Sequence, residues 1–275
     1  DNAITFADAL PGNLSSEITS GVTPPAVYFA RVSATNSASE VWTDKALVFT
    51  PDATANLPTR NENLLGWWKF DETSGSVATD SSGNENHGAL VNGPTWTQGK
   101  IGGALSFDGA GDYMEVSSRQ WNIENAATVS LWYFLNQSLS SNGTAFSLGH
   151  GSANDEILLY LRPTNDFKFY QHKSGANFAA LLGQSTINAW VHLTGTIDGG
   201  FAESQMRIYS NGQLLSATYS TSGTPALLSD ANDRKLRIGK RITSYDDLNG
   251  LIDDVRIYDR ALSAEEIQAL YQSGN

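Results

Sequence analysis

Two short stretches, Ile157 to Arg162 and Phe167 to His172, interleave apolar residues with aromatic and basic ones. In strands, successive side chains point to opposite faces. The first stretch then turns Ile157, Leu159 and Leu161 toward a core and leaves Tyr160 and Arg162 on the other side. The second turns Phe167 and Phe169 inward and leaves Lys168, Tyr170 and His172 outward. Paired side by side, the two strands predict one surface that is basic and aromatic. The loop from Gly239 to Asp247 adds Lys240, Arg241 and Tyr245, and His150 falls at a neighbouring strand end. Aromatic rings together with fixed hydrogen-bonding groups suit a polysaccharide or other glycan, which offers apolar ring faces and a rim of hydroxyls, and a basic surface suits one that is acidic or hydroxyl-rich. The same pattern also describes a solvated outer face on which Lys and Arg stems lie over aromatic rings.

A second group of residues could hold a cation. Asp71 closes an aromatic strand, Asp108 and Asp112 flank a turn at Gly109, Asp254 stands in the last strand, and backbone oxygens near Asn84 or Gly109 lie close by in sequence. Calcium takes about six to eight such oxygens, and a chain with 29 acidic and 17 basic residues, net charge −12, suits a hard cation. That charge equally serves solubility, and it argues against nucleic acid or an anionic membrane as partner. An EF-hand loop is absent: Asp80, Ser82 and Asn84 start with the right spacing, but Glu85 stands where glycine is needed and Val91 where glutamate is needed. The alternative is that these aspartates serve turns and caps, or pair with Arg256 and Arg260. The histidines His87, His150, His172 and His192 are scattered without zinc spacing, and there is no cysteine, hence no disulfide and no thiolate chemistry.

These residues must be positioned by short strands. From Leu64 onward, strand-like runs recur between Gly-, Asn- and Ser-rich turns, with Asn211-Gly212 as a two-residue hairpin signal. One helix is expected near the end, opened by a capping box at Ser263 and Glu266 and carrying Ile267, Leu270 and Tyr271 on one face. Residues 1–50 hold a β-rich segment in which a run from Val27 to Ala34 and another from Glu40 to Thr50 form a hairpin; 51–63 reads as a linker, and 64–275 as the main domain. Trp67 or Trp68, Trp132 and Trp190 are expected in the core, Trp96 and Trp121 on loops, as exposed stacking platforms or equally as staples of those loops, and His192 as a structural histidine. No apolar run approaches the length of a membrane helix. The chain reads as a monomeric fragment of a longer secreted or cell-surface protein whose export signal lies upstream.

Motifs in the main domain occur in a recognisable order. Gly66-Trp67-Trp68-Lys69-Phe70-Asp71-Glu72 precedes Asp80-Ser81-Ser82-Gly83-Asn84 and His87-Gly88; Gly103 to Gly109 leads to Asp112-Tyr113; then come Trp190 to Thr196, the hairpin at Asn211, and Gly250 to Ser263. The set resembles the LamG-like (laminin G-like) jelly-roll domains of the concanavalin A-like lectin/glucanase superfamily. Tyr28 to Ala38, similarly, resembles the penultimate strand and turn of a fibronectin-type-III module, though too few residues precede it for a complete one. The LamG resemblance implies an all-β, two-sheet antiparallel sandwich with first and last strands adjacent. It also implies a structural calcium ion, for which Asp71, Asn84, Asp108, Gly109, Asp112 and Asp254 would converge at one edge, and roles in glycan binding or adhesion. Glucanases of that superfamily carry Glu-x-Asp-x-x-Glu on one strand, acid and nucleophile about 5–5.5 Å apart. No such string occurs here, and the adjacent pairs Asp155-Glu156 and Asp253-Asp254 are expected to point to opposite faces. The expectation is a non-catalytic carbohydrate-binding module, with an adhesion or spacer module and a degenerate glycoside hydrolase as the alternatives.

Overall fold

A computed structural model describes residues 63–274, apart from short segments at 120, 122, 124–125, 151–154, 165, 174–175, 183–185, 199–205, 217, 223–233 and 245, together with four three-residue strands among the first 62 residues. The chain divides into two compact units, Asp1–Ala55 and Asn56–Asn275. In the first, β1 (Tyr28–Ala30) pairs with β4 (Leu47–Phe49), and β2 (Ser33–Thr35) pairs with β3 (Glu40–Trp42), both antiparallel. This is the nested pairing of a long hairpin.

Among the described residues, the second unit carries seventeen further strands and one helix. In chain order they are β5 (Leu64–Trp68), β6 (Val77–Ala78), β7 (Gly88–Val91), β8 (Thr95–Gln98), β9 (Gly103–Asp108), β10 (Tyr113–Arg119), β11 (Ala127–Phe134), β12 (Gly143–Gly149) and β13 (Asp155–Leu161). There follow β14 (Phe167–Lys173), β15 (Ala176–Leu182), β16 (Trp190–Ile197), β17 (Met206–Ser210), β18 (Gln213–Leu214), β19 (Thr218–Ser222), β20 (Arg234–Ile238), β21 (Asn249–Tyr258) and α1 (Ala264–Ser273). A nine-stranded sheet runs β19-β15-β14-β13-β12-β20-β10-β7-β6, and an eight-stranded sheet runs β18-β17-β16-β11-β21-β9-β8 with β5 also on β21. Both are antiparallel, and together they form a jelly-roll sandwich.

Alternation explains the core. Phe167 and Phe169 of β14, Ile157, Leu159 and Leu161 of β13, and Leu236 and Ile238 of β20 are buried from one sheet; Val129, Leu131 and Tyr133 of β11 and Leu193 and Ile197 of β16 are buried from the other. At the centre of β16, glycine is required by contact: a Cβ on Gly195 would stand 2.5 Å from the Phe169 ring.

Strand β21 is the hub of its sheet. One edge pairs with β11; the other pairs first with β9, up to Ile252↔Leu105, and then with β5, from Val255↔Trp68. At the handover the chain inserts an extra residue. The register against β11 shifts between Ser130↔Arg256 and Trp132↔Asp253, and Asp254 adopts φ 47°, as a β-bulge requires. Ile252 and Val255 both face the core, so Asp253 and Asp254 lie together on the outer side. The expectation that these neighbours point to opposite faces is therefore overturned, because the bulge breaks the two-residue period.

Helix α1 covers that outer side. Its capping box forms as the sequence suggests, with the Glu266 amide donating to Ser263 Oγ at 3.3 Å and the Ser263 amide donating to Glu266 Oε2 at 2.8 Å. Ile267 and Leu270 join Leu64, Tyr209, Tyr258 and Leu262 in a second apolar cluster, and Tyr271 stacks on Trp132 with ring centroids 5.7 Å apart. Beneath the helix lie Asp253, whose Oδ2 accepts from the Ile101 amide at 2.8 Å, and His192, whose Nε2 meets Ser130 Oγ at 2.8 Å.

Burial pushes the Asp253 carboxyl up to about 7, with Asp254 adding to the rise against the Ile101 amide. Burial, aided by Arg256, pushes His192 down to about 3. The signs oppose. Between its usual value of 3.8 and about 7, Asp253 holds a proton that the unfolded chain has lost, so its contribution to stability falls as pH rises. Between about 3 and 6.5, the unfolded chain protonates its histidine and the folded one does not, so that contribution rises with pH. Asp253→Asn removes the first and exposes the second. Chemical denaturation across mildly acidic pH is expected to show a steeper rise of stability with pH in the variant, by up to about 1.4 kcal/mol per pH unit for one proton. Parallel curves for variant and parent would contradict this protonation pattern.

Candidate functional site

The outer face of the nine-stranded sheet holds most of the residues that the sequence singles out. Strands β13 and β14 pair in the register Tyr160↔Lys168, Leu158↔Tyr170 and Glu156↔His172. Tyr160, Lys168 and Tyr170 are half-buried there, while Phe167 and Phe169 are in the core. The Lys168 ammonium lies between the two rings, 5.8 Å from the Tyr160 centroid and 4.7 Å from that of Tyr170. Burial lowers its pKa, reinforced by Arg162 and Arg241. Burial also pushes the Tyr160 hydroxyl up to about 12 and raises that of Tyr170. Both phenols are therefore neutral hydrogen-bonding groups at physiological pH.

The arginines are brought to this patch, each with a carboxylate. Arg162 follows β13 and pairs with Asp166 at 3.2 Å. Arg241, from the loop between β20 and β21, forks onto Glu156, with Nε 3.1 and 3.2 Å from its two oxygens and Nη2 on Oε1, and reaches Asp246 at 3.7 Å. Glu156 is only 1% exposed. The loop is tied down over the sheet by the Thr144 amide donating to Asp246 O at 3.1 Å and by the Ile242 amide donating to Ser147 Oγ at 3.4 Å. Lys240 pairs with Asp247 at 2.9 Å. Three cations, Arg162, Lys168 and Arg241, thus stand beside three carboxylates, Glu156, Asp166 and Asp246. The surface is aromatic as expected but charge-balanced, which corrects the expectation of a basic one. The compensating acids sit in the neighbouring register and in the loop, where alternation along a single strand does not reveal them. His150 is half-buried just after β12. The side chain of His172 and all of Tyr245 lie outside the described residues.

The same face extends toward β10 with residues that the sequence reading passed over. Arg237 bonds Glu115 at 2.8 Å and lies 4.4 Å from the Tyr113 ring centroid, with Lys235 also on Glu115 at 3.0 Å. Alternation in β10 (Met114 and Val116 inward, Tyr113 and Glu115 outward) carries the signal that would have found them. Tyr113, Tyr160 and Tyr170 are each approached by a cation over the ring.

The residues proposed for calcium are not brought to one centre. Asp71 accepts from the Gly103 amide at 2.9 Å, at the start of β9, whereas Asp108 ends that strand. Five residue steps at roughly 3.3 Å place these strand positions about 16 Å apart. Asp108 accepts from the Ala110 amide at 2.7 Å, and Asp112, whose pKa burial and Asp108 raise, accepts from the Asp108 amide at 3.4 Å around Gly109. Asp254 accepts from Trp67 Nε1 at 2.5 Å and from Arg256 at 3.2 Å, and the Asn84 amide donates to Leu64 O at 2.7 Å. Among the described residues no group of three or more carboxylate or imidazole side chains is placed to hold a metal. The observed arrangement does not fit the expected composite site.

The tryptophans also redistribute. Trp68 and Trp132 are buried, but Trp67 and Trp190 are only half-buried. Trp121 is 2% exposed and donates to Arg234 O at 2.9 Å, so it is a core residue and not a loop platform. Trp96 lies on β8 and donates to Gly75 O at 2.9 Å. No described helix is long and apolar enough to cross a membrane.

Comparison with known proteins agrees with this architecture. A laminin-G family model, described as concanavalin A-like lectin/glucanases superfamily, matches residues 108–268, more than half of the chain. A comparison with curated proteins finds no match. Among solved structures, domain 4 of AbnA, a GH43 extracellular arabinanase from Geobacillus stearothermophilus in complex with arabinotriose, is similar at TM-score 0.60 and 22% identity, over 77% of this chain and 100% of that one. Trypanosoma rangeli sialidase in complex with sialic acid is similar at TM-score 0.57 and 17% identity, over 79% of this chain and 33% of that one. The receptor binding domain of botulinum neurotoxin C/D mosaic serotype is similar at 0.56 and 15%, over 77% and 51%. The chain thus spans the whole arabinanase domain, but about a third of the sialidase and about half of the neurotoxin domain. At these identities the structural likeness speaks to fold alone, and the family match over 108–268 carries the assignment: the chain belongs to the concanavalin A-like lectin/glucanases superfamily.

Proposed function

We propose that the chain is a non-catalytic carbohydrate-binding module of a secreted protein, and that it takes a hydroxyl-rich glycan on the outer face of the nine-stranded sheet. The observation that carries this reading is the Tyr160–Lys168–Tyr170 arrangement, two phenol rings on adjacent strands with one ammonium between them. Aromatic faces suit the C–H faces of sugars, and the neutral phenols and the ammonium suit hydroxyls. Arg162 and Arg241 are already engaged by carboxylates, so the patch favours a neutral glycan over a strongly acidic one. The arabinanase domain crystallised with arabinotriose and the sialidase with sialic acid support saccharides as the ligand class. Calcium forms no part of this reading, because Asp71 and Asp108 stand at opposite ends of β9, each on a backbone amide, while Asp254 is engaged by Trp67 and Arg256 on β21.

Glycan-array screening followed by calorimetry tests the reading. Tyr170→Ala is expected to weaken binding about tenfold with an unchanged melting temperature, because the ring is half-exposed and no core contact is lost. For a neutral glycan, affinity should change little with added salt, since no ion pair crosses the interface. Binding that survives both Tyr170→Ala and Lys168→Met would remove this face from consideration. Arg241→Ala should behave differently. It leaves the Glu156 carboxylate buried without its fork, and the expected loss is about 2–3 kcal/mol in denaturant unfolding, below that of a fully enclosed pair because the guanidinium is partly exposed.

A further inference from the structure

The eight-stranded sheet also has an outer face, and α1 covers only part of it. Along β11 the outward residues are Trp132 and then Phe134. Trp132 is capped by Tyr271 and by the helix end at Gly274, where a Cβ would stand 2.6 Å from the Trp132 ring. Phe134, one outward position further along, is half-buried and lies beyond the helix. The ladder register sets four side chains in a row there: Trp190, Phe134, Leu251 and Ser106. Their chain neighbours Val191, Tyr133, Ile252, Leu105 and Phe107 are all buried in the core, so the row belongs to the outer surface. Trp190 and Phe134 lie 5.6 Å apart between centroids at an interplanar angle of 53°. Asn136 and Asn249 stand beside the row, and with Ser106, Phe134 and Leu251 they line a shallow cleft of about 100 Å³ that is open to solvent.

From this we infer that the chain has a second saccharide subsite, on the opposite sheet from Tyr160 and Tyr170, that seats one uncharged sugar ring between Phe134 and the amides of Asn136 and Asn249. The lining is aromatic, aliphatic, amide and hydroxyl, and none of the residues that line the cleft is ionisable. Asp108, across the ladder from Asn249, directs its carboxylate to the Ala110 amide. An anionic or cationic ligand would therefore leave its charge desolvated without a partner, which is costly. A neutral sugar would not, since its C–H face can lie on the aromatic side chains while its hydroxyls meet primary amides that both donate and accept. The volume falls below that of an enclosing ligand pocket, so the cleft suits one face of a single sugar unit laid against it rather than a wrapped chain. Asn249 is held for this task by its Nδ2 donating to Asp108 O at 3.2 Å.

The subsite is independent of the Tyr160–Tyr170 face and can be separated from it with the full chain. The probes are neutral trisaccharides of arabinose, xylose, glucose and galactose, with trigalacturonate as a charged control, read by calorimetry and by NMR shifts of assigned side-chain amides. Asn136→Ala, at an exposed position that leaves the fold intact, is expected to weaken one class of sites about three- to tenfold; Trp190→Ala, checked for an unchanged melt, should weaken the same class. Tyr170→Ala should leave that class untouched. If binding falls with Tyr170→Ala alone, the subsite is refuted and the Tyr160–Tyr170 reading stands; if it falls with Asn136→Ala alone, the subsite stands and the other reading fails. Absence of any neutral-trisaccharide shift at Asn136 and Asn249 would overturn the inference. So would tighter binding of trigalacturonate there, or self-association of the chain that Trp190→Ala abolishes.

Discussion

The eight-stranded sheet depends on strand β21 being paired on both edges. That strand lies between β11 on one side and β9, then β5, on the other, so the last strand of the domain holds the first. These contacts join residues that are nearly two hundred positions apart, such as Trp67 and Asp254. Loop-closure entropy makes such pairing slow to reward. It gains from dense burial on the core side, where Ile252, Val255 and Ile257 pack, and from α1, which folds back over the strand it has just left. The bulge at Asp254 marks the junction where β21 changes partners, and a left-handed residue there lets one strand serve two neighbours that are not collinear.

Local periodicity made much of this legible. The inward Phe167 and Phe169, the outward Lys168 and Tyr170, and the capping box of α1 each follow from spacing of two or of three, and the structure places them accordingly. The ordered motifs from Gly66 to Ser263 implied a sandwich with its end strands together, and β5 does lie on β21. Periodicity failed where the chain stops being periodic. Asp253 and Asp254 share one side because the bulge adds a residue. Trp121 reads as a loop residue, yet it is drawn into the core by its bond to Arg234 O. The hairpin expected from Val27 to Thr50 has its counterpart in the β1–β4 and β2–β3 ladders.

The candidate site was legible in position but not in charge. Reading β13 and β14 one strand at a time finds Tyr160, Arg162, Lys168 and Tyr170, all of which face the same surface. It misses that Glu156 shares that face two pairs away, and that the loop after β20 returns Asp246 beside it. Charge balance is a property of the ladder and its covering loop, and it depends on contacts such as Arg241 to Glu156 that span some eighty residues. The expected convergence of the calcium ligands failed for a related reason. Acids at strand ends look alike in sequence whichever end they occupy, and Asp71 and Asp108 belong to opposite ends of β9.

The two outer faces differ in the physics by which they could hold a ligand. On the nine-stranded sheet, ammonium and guanidinium groups lie over Tyr113, Tyr160 and Tyr170, and carboxylates close the charge account, so hydrogen bonds there would be charge-assisted and directional. On the eight-stranded sheet, the uncovered row from Trp190 to Ser106 offers dispersion and neutral amides. That difference follows from α1. The helix end packs over Trp132, beside Asp253 in the ladder, and leaves open the uncharged row from Trp190 to Ser106. The position at which the helix stops, against Trp132, therefore decides what chemistry the second face can present.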